Sequence, residues 1–207
     1  SLNATTFQTQ RRYDPAYGSE NSSIDLGSGN DRLFINASAS GQGEMRAFGA
    51  LDSTIDAGSG DDIVSINASA NSNNGWWWWG GGNDPATAKG IDNSDIDLGS
   101  GNDFISVSAS TNGGISNATA LEDSNIDAGS GNDVININAN ARANGGGWWW
   151  WNRGGNPATA KGLDNSNLDT GSGDDSISIN TNATSNGGWW WWGGGGNADS
   201  VGIDNNS

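Results

Sequence analysis

Ten aspartates recur at the first and last positions of five copies of one short segment, and their type and spacing restrict the chemistry open to them. Residues 25–31 read Asp-Leu-Gly-Ser-Gly-Asn-Asp, and close variants return at residues 56–62, 97–103, 127–133 and 169–175. The first carboxylate of each copy is Asp25, Asp56, Asp97, Asp127 or Asp169. The second is Asp31, Asp62, Asp103, Asp133 or Asp175. Histidine and cysteine are absent from the chain, which removes imidazole and thiolate chemistry and leaves oxygen as the metal ligand. Oxygen suits hard cations, and calcium takes about 6–8 such ligands, backbone carbonyls among them. A glycine-rich turn presents those carbonyls well.

The elements that must hold these carboxylates follow from the intervals. Successive copies begin 31, 41, 30 and 42 residues apart, so the basic unit is about thirty residues with an optional insertion near eleven. Each long interval contains a glycine-flanked run of four tryptophans: Trp76, Trp77, Trp78 and Trp79, or Trp148, Trp149, Trp150 and Trp151. A third run, Trp189, Trp190, Trp191 and Trp192, follows the last copy.

After each copy the chain alternates. Counted from the second aspartate, one apolar set is Leu33, Val64, Ile105, Ile135 and Ile177, and the next is Ile35, Ile66, Val107, Ile137 and Ile179. Asn36, Asn67, Ser108, Asn138 and Asn180 lie between them. A period of two with one apolar side is a half-buried strand, and its recurrence in one register predicts parallel stacking. Before each copy, Ile24, Ile55, Ile96, Ile126 and Leu168 form one apolar column, and Leu51, Ile91, Leu121, Leu163 and Ile203 are expected to form another. The expected architecture is all-β: a right-handed parallel β-helix of about six coils of roughly thirty residues, with tryptophan-rich loops near 73–84, 145–156 and 186–197. Residues 1–207 read as one solenoid domain, with 1–22 as an irregular first coil. Ser1–Thr5 matches the alternation of residues 178–182, and neither end shows a cap, so a segment of a longer protein or filament is expected.

Stacked coils place equivalent residues about 4.8 Å apart. Two aspartate columns, with a third expected through Asp52, Asp92, Asp123, Asp164 and Asp204, would repel by about 1–3 kcal/mol per contact. A cation between coils offsets that repulsion. The alternative is Asx-type turns, in which each carboxylate caps local backbone N–H groups.

The corner with its following strand, (Leu/Ala/Thr)-Gly-Ser-Gly-(Asn/Asp)-Asp-x-(Leu/Val/Ile)-x, resembles the nonapeptide of the repeats-in-toxin, or haemolysin-type, calcium-binding proteins. That resemblance implies calcium held between successive turns by turn carbonyls and by Asp31, Asp62, Asp103, Asp133 and Asp175. The pattern departs from the family's in two ways. Its first glycine is Leu26, Ala57, Leu98, Ala128 or Thr170, and the motif is not in tandem, so calcium is expected along one edge.

Composition excludes other classes. A net charge of −16 argues against binding nucleic acid or an anionic membrane, and no apolar run is long enough to span a bilayer. The aspartates repeat in every coil, whereas a catalytic site is a singular departure from a repeat. A polysaccharide-acting β-helix enzyme is therefore a minor alternative. Four tryptophans in a row offer roughly 600–1,000 Å² of surface, more than a monomer leaves exposed. They are expected to fold back on their own solenoid, to pack on another chain or dock on glycan, or, as the minor alternative, to insert in lipid. The favoured reading is a calcium-dependent structural rod of the bacterial cell surface or extracellular matrix that self-associates as a homopolymer or filament. A glycan-binding or ice-binding adhesin is the alternative.

Overall fold

In a computed structural model, residues 2–9, 14–73, 84–144, 155–186 and 196–204 are described, residues 2–9 by their backbone. The described residues form strands and turns, without helix. The strands recur in threes. The first set is β1 (Leu2–Thr9), β2 (Ala16–Glu20) and β3 (Ser23–Asp25); the second is β4 (Arg32–Gly41), β5 (Met45–Leu51) and β6 (Thr54–Asp56). Next come β7 (Ile63–Ser72), β8 (Pro85–Asp92) and β9 (Asp95–Asp97), then β10 (Phe104–Gly113), β11 (Ile115–Glu122) and β12 (Asn125–Asp127). The last are β13 (Val134–Asn144), β14 (Ala158–Asp164), β15 (Asn167–Asp169), β16 (Ser176–Asn186) and β17 (Ala198–Asp204).

Every third strand pairs in parallel. Three sheets result, ordered β1-β4-β7-β10-β13-β16, β17-β14-β11-β8-β5-β2 and β15-β12-β9-β6-β3. Stacked parallel sheets of this kind are the architecture of a β-solenoid. Alternation is the reason that these residues become strands: one side chain in two enters the core. Leu33, Val64, Ile105 and Ile135 have no exposed surface, and each such aliphatic side chain contributes about 1.5–3 kcal/mol on burial. Further along the same strands Ala37, Ala68, Ala109 and Ala139 point inward, as do Ala47, Ala88, Ala118 and Ala160 in the second sheet. Small residues on both walls make the core thin. A Cβ added at Gly90 would lie 2.5 Å from Cγ1 of Val107 and 2.6 Å from the carbonyl oxygen of Ala120, so a missing side chain lets the β-branched residue of the facing sheet approach.

The register corrects three expectations. Leu2 pairs with Leu33, which puts it in the column of Ile177 and not that of Ile179. The apolar column before the corner contains Ala50, paired with Ile91, in place of Leu51, which pairs with Asp92. The expected third acidic column divides in consequence. Asp92, Asp164 and Asp204 share a column with Glu122, while Asp52 and Asp123 occupy the next position along, where Asn21, Asn93 and Asn165 stand in other turns. All five of these residues adopt a positive φ of 47–48°, a conformation that Asn and Asp tolerate better than other side chains. The segment 1–22, expected to be irregular, contains the strands β1 and β2. Among the described residues, no helix is long and apolar enough to cross a membrane.

Candidate metal centre

Each corner begins at the end of a short strand. The first aspartates stack in parallel at the outer side of that strand. Asp25, Asp56, Asp97 and Asp169 are exposed and Asp127 is half-buried. Two of them cap their own turn: Oδ1 of Asp127 accepts from the Gly129 N–H at 3.0 Å, and Oδ1 of Asp169 from the Gly171 N–H at 3.0 Å. This is the local Asx arrangement.

The next residue turns inward. Ala57, Leu98 and Ala128 are fully buried, so a position that is glycine in the nonapeptide pattern serves the core here. The two glycines that follow have positive φ throughout. At Gly131 a Cβ would run into the carbonyl oxygen of Gly101 in the neighbouring turn, so only glycine allows the turns to stack this closely. The serines between the glycines pair turn on turn, Ser28 through Ser59, Ser100 and Ser130 to Ser172.

Two side-chain ladders then cross between turns in opposite directions. In the outer one, Oδ1 of Asn30 accepts from the Asp61 N–H at 3.0 Å, Asp61 from Asn102 at 2.8 Å, Asn102 from Asn132 at 3.0 Å and Asn132 from Asp174 at 2.8 Å. The inner one is built from the second aspartates. Oδ1 of Asp62 accepts from the Asp31 N–H at 2.6 Å, Asp103 from Asp62 at 2.8 Å, Asp133 from Asp103 at 2.8 Å and Asp175 from Asp133 at 3.0 Å.

The ten expected ligands therefore form two unlike columns. Asp62, Asp103 and Asp133 are 0–2% exposed, and the Oδ2 of each is buried without a hydrogen-bond partner. Burying an unpartnered carboxylate oxygen is costly, and it is relieved by a proton or a cation. Loss of hydration accordingly pushes the carboxyl of Asp103 up to about 6, against the N–H bond from Asp62 and with the charges of Asp133, Asp62 and Asp61 adding to the rise. Asp62 and Asp133 are raised for the same first reason, each opposed by the N–H bond it accepts.

A hard cation fits this donor set in kind. One buried carboxylate oxygen is uncommitted in each of three successive turns, on Asp62, Asp103 and Asp133. Three carboxylates do not converge at any corner. Among the described residues the one acidic triad that could hold an ion is Asp92, Glu122 and Asp123, on another edge. Two of its members already have a counter-charge, because Lys89 Nζ lies 3.0 Å from Asp92 and 2.8 Å from Glu122. Lys161 repeats the clamp at 2.9 Å from Asp164 and 2.7 Å from Asp204. Its ammonium is held up to about 12, first by the hydrogen bond to Asp204 and then by that to Asp164.

Sequence reasoning missed a further ladder. Ser53, Ser94, Ser124 and Ser166 are buried, each following the positive-φ residue. The Ser53 N–H donates to Oγ of Ser94 at 3.0 Å, Ser94 to Ser124 at 3.2 Å and Ser124 to Ser166 at 3.2 Å. Each hydroxyl also donates to a carbonyl two residues back, as Ser94 does to Asp92 at 2.8 Å. The signal was an (Asn/Asp)-Ser pair standing four and three residues before the first aspartate of every corner.

All twelve tryptophans named above lie outside the described residues. Comparison with protein-family models, curated proteins and solved structures finds no match.

Proposed function

We propose that this chain is a calcium-stabilised structural rod of the bacterial cell surface or extracellular matrix. It is a right-handed solenoid of about six coils that associates with further copies end to end or through its tryptophan runs. The observation that carries this reading is the inner aspartate column, with three buried carboxylates each leaving one oxygen unpartnered. Calcium at that edge would take Asp62, Asp103 and Asp133 from inside and turn carbonyls from the glycines, offset the like charges, and so permit stacking. The repeats-in-toxin resemblance of the corner points the same way.

Ile177 and Ile203 are 48% and 57% exposed, whereas their partners one turn earlier, Ile135 and Leu163, are 0% and 2% exposed. A further turn of the repeat, from this chain or from a second copy, would bury them again. The deciding experiment is calcium removal with EGTA, followed by circular dichroism and electron microscopy. The expected result is loss of β-structure or of particle length, restored on adding calcium. Unchanged spectra and unchanged particles would refute both the calcium role and the assembly.

A further inference from the structure

We propose that the outward face of the sheet β1-β4-β7-β10-β13-β16 carries a binding groove for a neutral oligosaccharide, crossing β10, β13 and β16. The groove, half open to solvent, has a volume of about 370 Å³ and is lined by two rows, Ser110, Asn140 and Asn182 on one side and Asn112, Arg142 and Thr184 on the other. Its volume lies at the low end of ligand sites, which run from about 300 to 1,000 Å³.

Three features select the ligand. First, the row Ser110–Asn140–Asn182 is open where comparable rows are closed. On this sheet Asn67 donates to Asn36 at 3.0 Å, Asn180 to Asn138 at 3.3 Å and Asn186 to Asn144 at 2.9 Å. The amides of Asn140 and Asn182 have no partner among the described residues, and both are exposed. Second, the Arg142 guanidinium is exposed and forms no ion pair with a described residue, in contrast to Lys89 and Lys161. Third, no carboxylate lines the groove, although the chain carries 24 acidic residues.

The lining thus mixes donors (amide N–H and guanidinium) with acceptors (amide oxygen and hydroxyl) in two rows repeating at the inter-strand spacing of about 4.8 Å. Sugar hydroxyls, each donor and acceptor at once, match such a lining. A polyanion would meet Arg142 but also the field of a −16 chain, which opposes its approach.

The test is a titration of the full 207-residue chain with neutral hexasaccharides of glucose, mannose or N-acetylglucosamine, followed by calorimetry and by amide chemical shifts. Binding by at least one, with shifts on β10, β13 and β16, is expected. Arg142→Ala, and Asn140→Ala combined with Asn182→Ala, should each weaken binding about tenfold or more, and Asn180→Ala on the closed row should not. Circular dichroism checks the fold of each variant. If the double variant does not fold, Arg142→Ala and the shift map decide. Absence of binding by every hexasaccharide overturns the proposal. So does binding that survives the groove variants, or that is lost only when Trp148, Trp149, Trp150 and Trp151 are replaced by alanine. Tighter binding of a hexauronate than of any neutral probe overturns the ligand class.

Discussion

Asp103 is where the competing demands on this chain meet. It is 2% exposed, one oxygen serves the Asp62 N–H, and the other has no protein partner. Its carboxyl is raised from 3.8 to about 6. A folded-state value above the unfolded one means that the protonated form favours folding, a contribution fully present below pH 3.8 and lost as pH rises through about 6. Calcium-free protein should therefore melt at a higher temperature at pH 5 than at pH 7, and saturating calcium at pH 7 should remove most of the difference. Thermal melts of metal-stripped and calcium-loaded protein across that range test this. Asp103→Asn keeps the acceptor for the Asp62 N–H and discards the charge. It should raise the calcium-free melting temperature by a few degrees and shrink the gain on adding calcium. Asp103→Ala leaves that N–H buried and unpaired, at a cost of about 1–3 kcal/mol with or without calcium. The position of these aspartates was legible in the sequence, because glycine punctuation fixes the corner. Their division into an exposed and a buried column was not, since both read simply as Asp until the inward Ala57, Leu98 and Ala128 set which side faces the core.

At the scale of strands and turns, spacing was a better guide than residue type. The column of Leu33, Val64, Ile105, Ile135 and Ile177 follows its corner at a fixed distance, and its pairing was legible for that reason. Leu51 is apolar like Ile91 and Leu121 but stands one residue nearer its corner than they do. The fixed distance from the corner selects Ala50. The serine ladder escaped notice because Ser beside Asn or Asp resembles solvent-facing turn, and only the burial of Ser94 and its neighbours reveals a second stacked edge. Ser94→Ala removes the acceptor of the Ser53 N–H and the donor to the Asp92 carbonyl. It should destabilise by about 1–3 kcal/mol, read as a lower urea midpoint with an unchanged slope. Lys89 is raised overall: burial lowers it, and the hydrogen bonds it donates to Glu122 and Asp92 outweigh burial. Lys89→Met should leave two neighbouring carboxylates without their counter-ion and lower the midpoint more at pH 7 than at pH 4.

For the whole molecule, the proposed end-to-end association makes a specific claim. Ile177→Asp together with Ile203→Asp should shorten particles in electron micrographs, with no loss of circular dichroism signal from the rest of the chain. Particles of unchanged length would remove that turn from the assembly surface. One further consequence lies in the sense of the ladders. Every strand pair is parallel, and the Asp62-to-Asp175 and Ser53-to-Ser166 ladders all donate from the earlier turn to the later one. The long axis is therefore vectorial, with one pole that offers donors of this set and an opposite pole that offers acceptors. Head-to-tail addition continues these ladders and the opposed Asn30-to-Asp174 ladder alike, whereas two copies meeting by the same pole would leave each ladder facing its own kind. A fibre made this way would have an arrow, and its two tips would differ in the rate at which they take up new subunits.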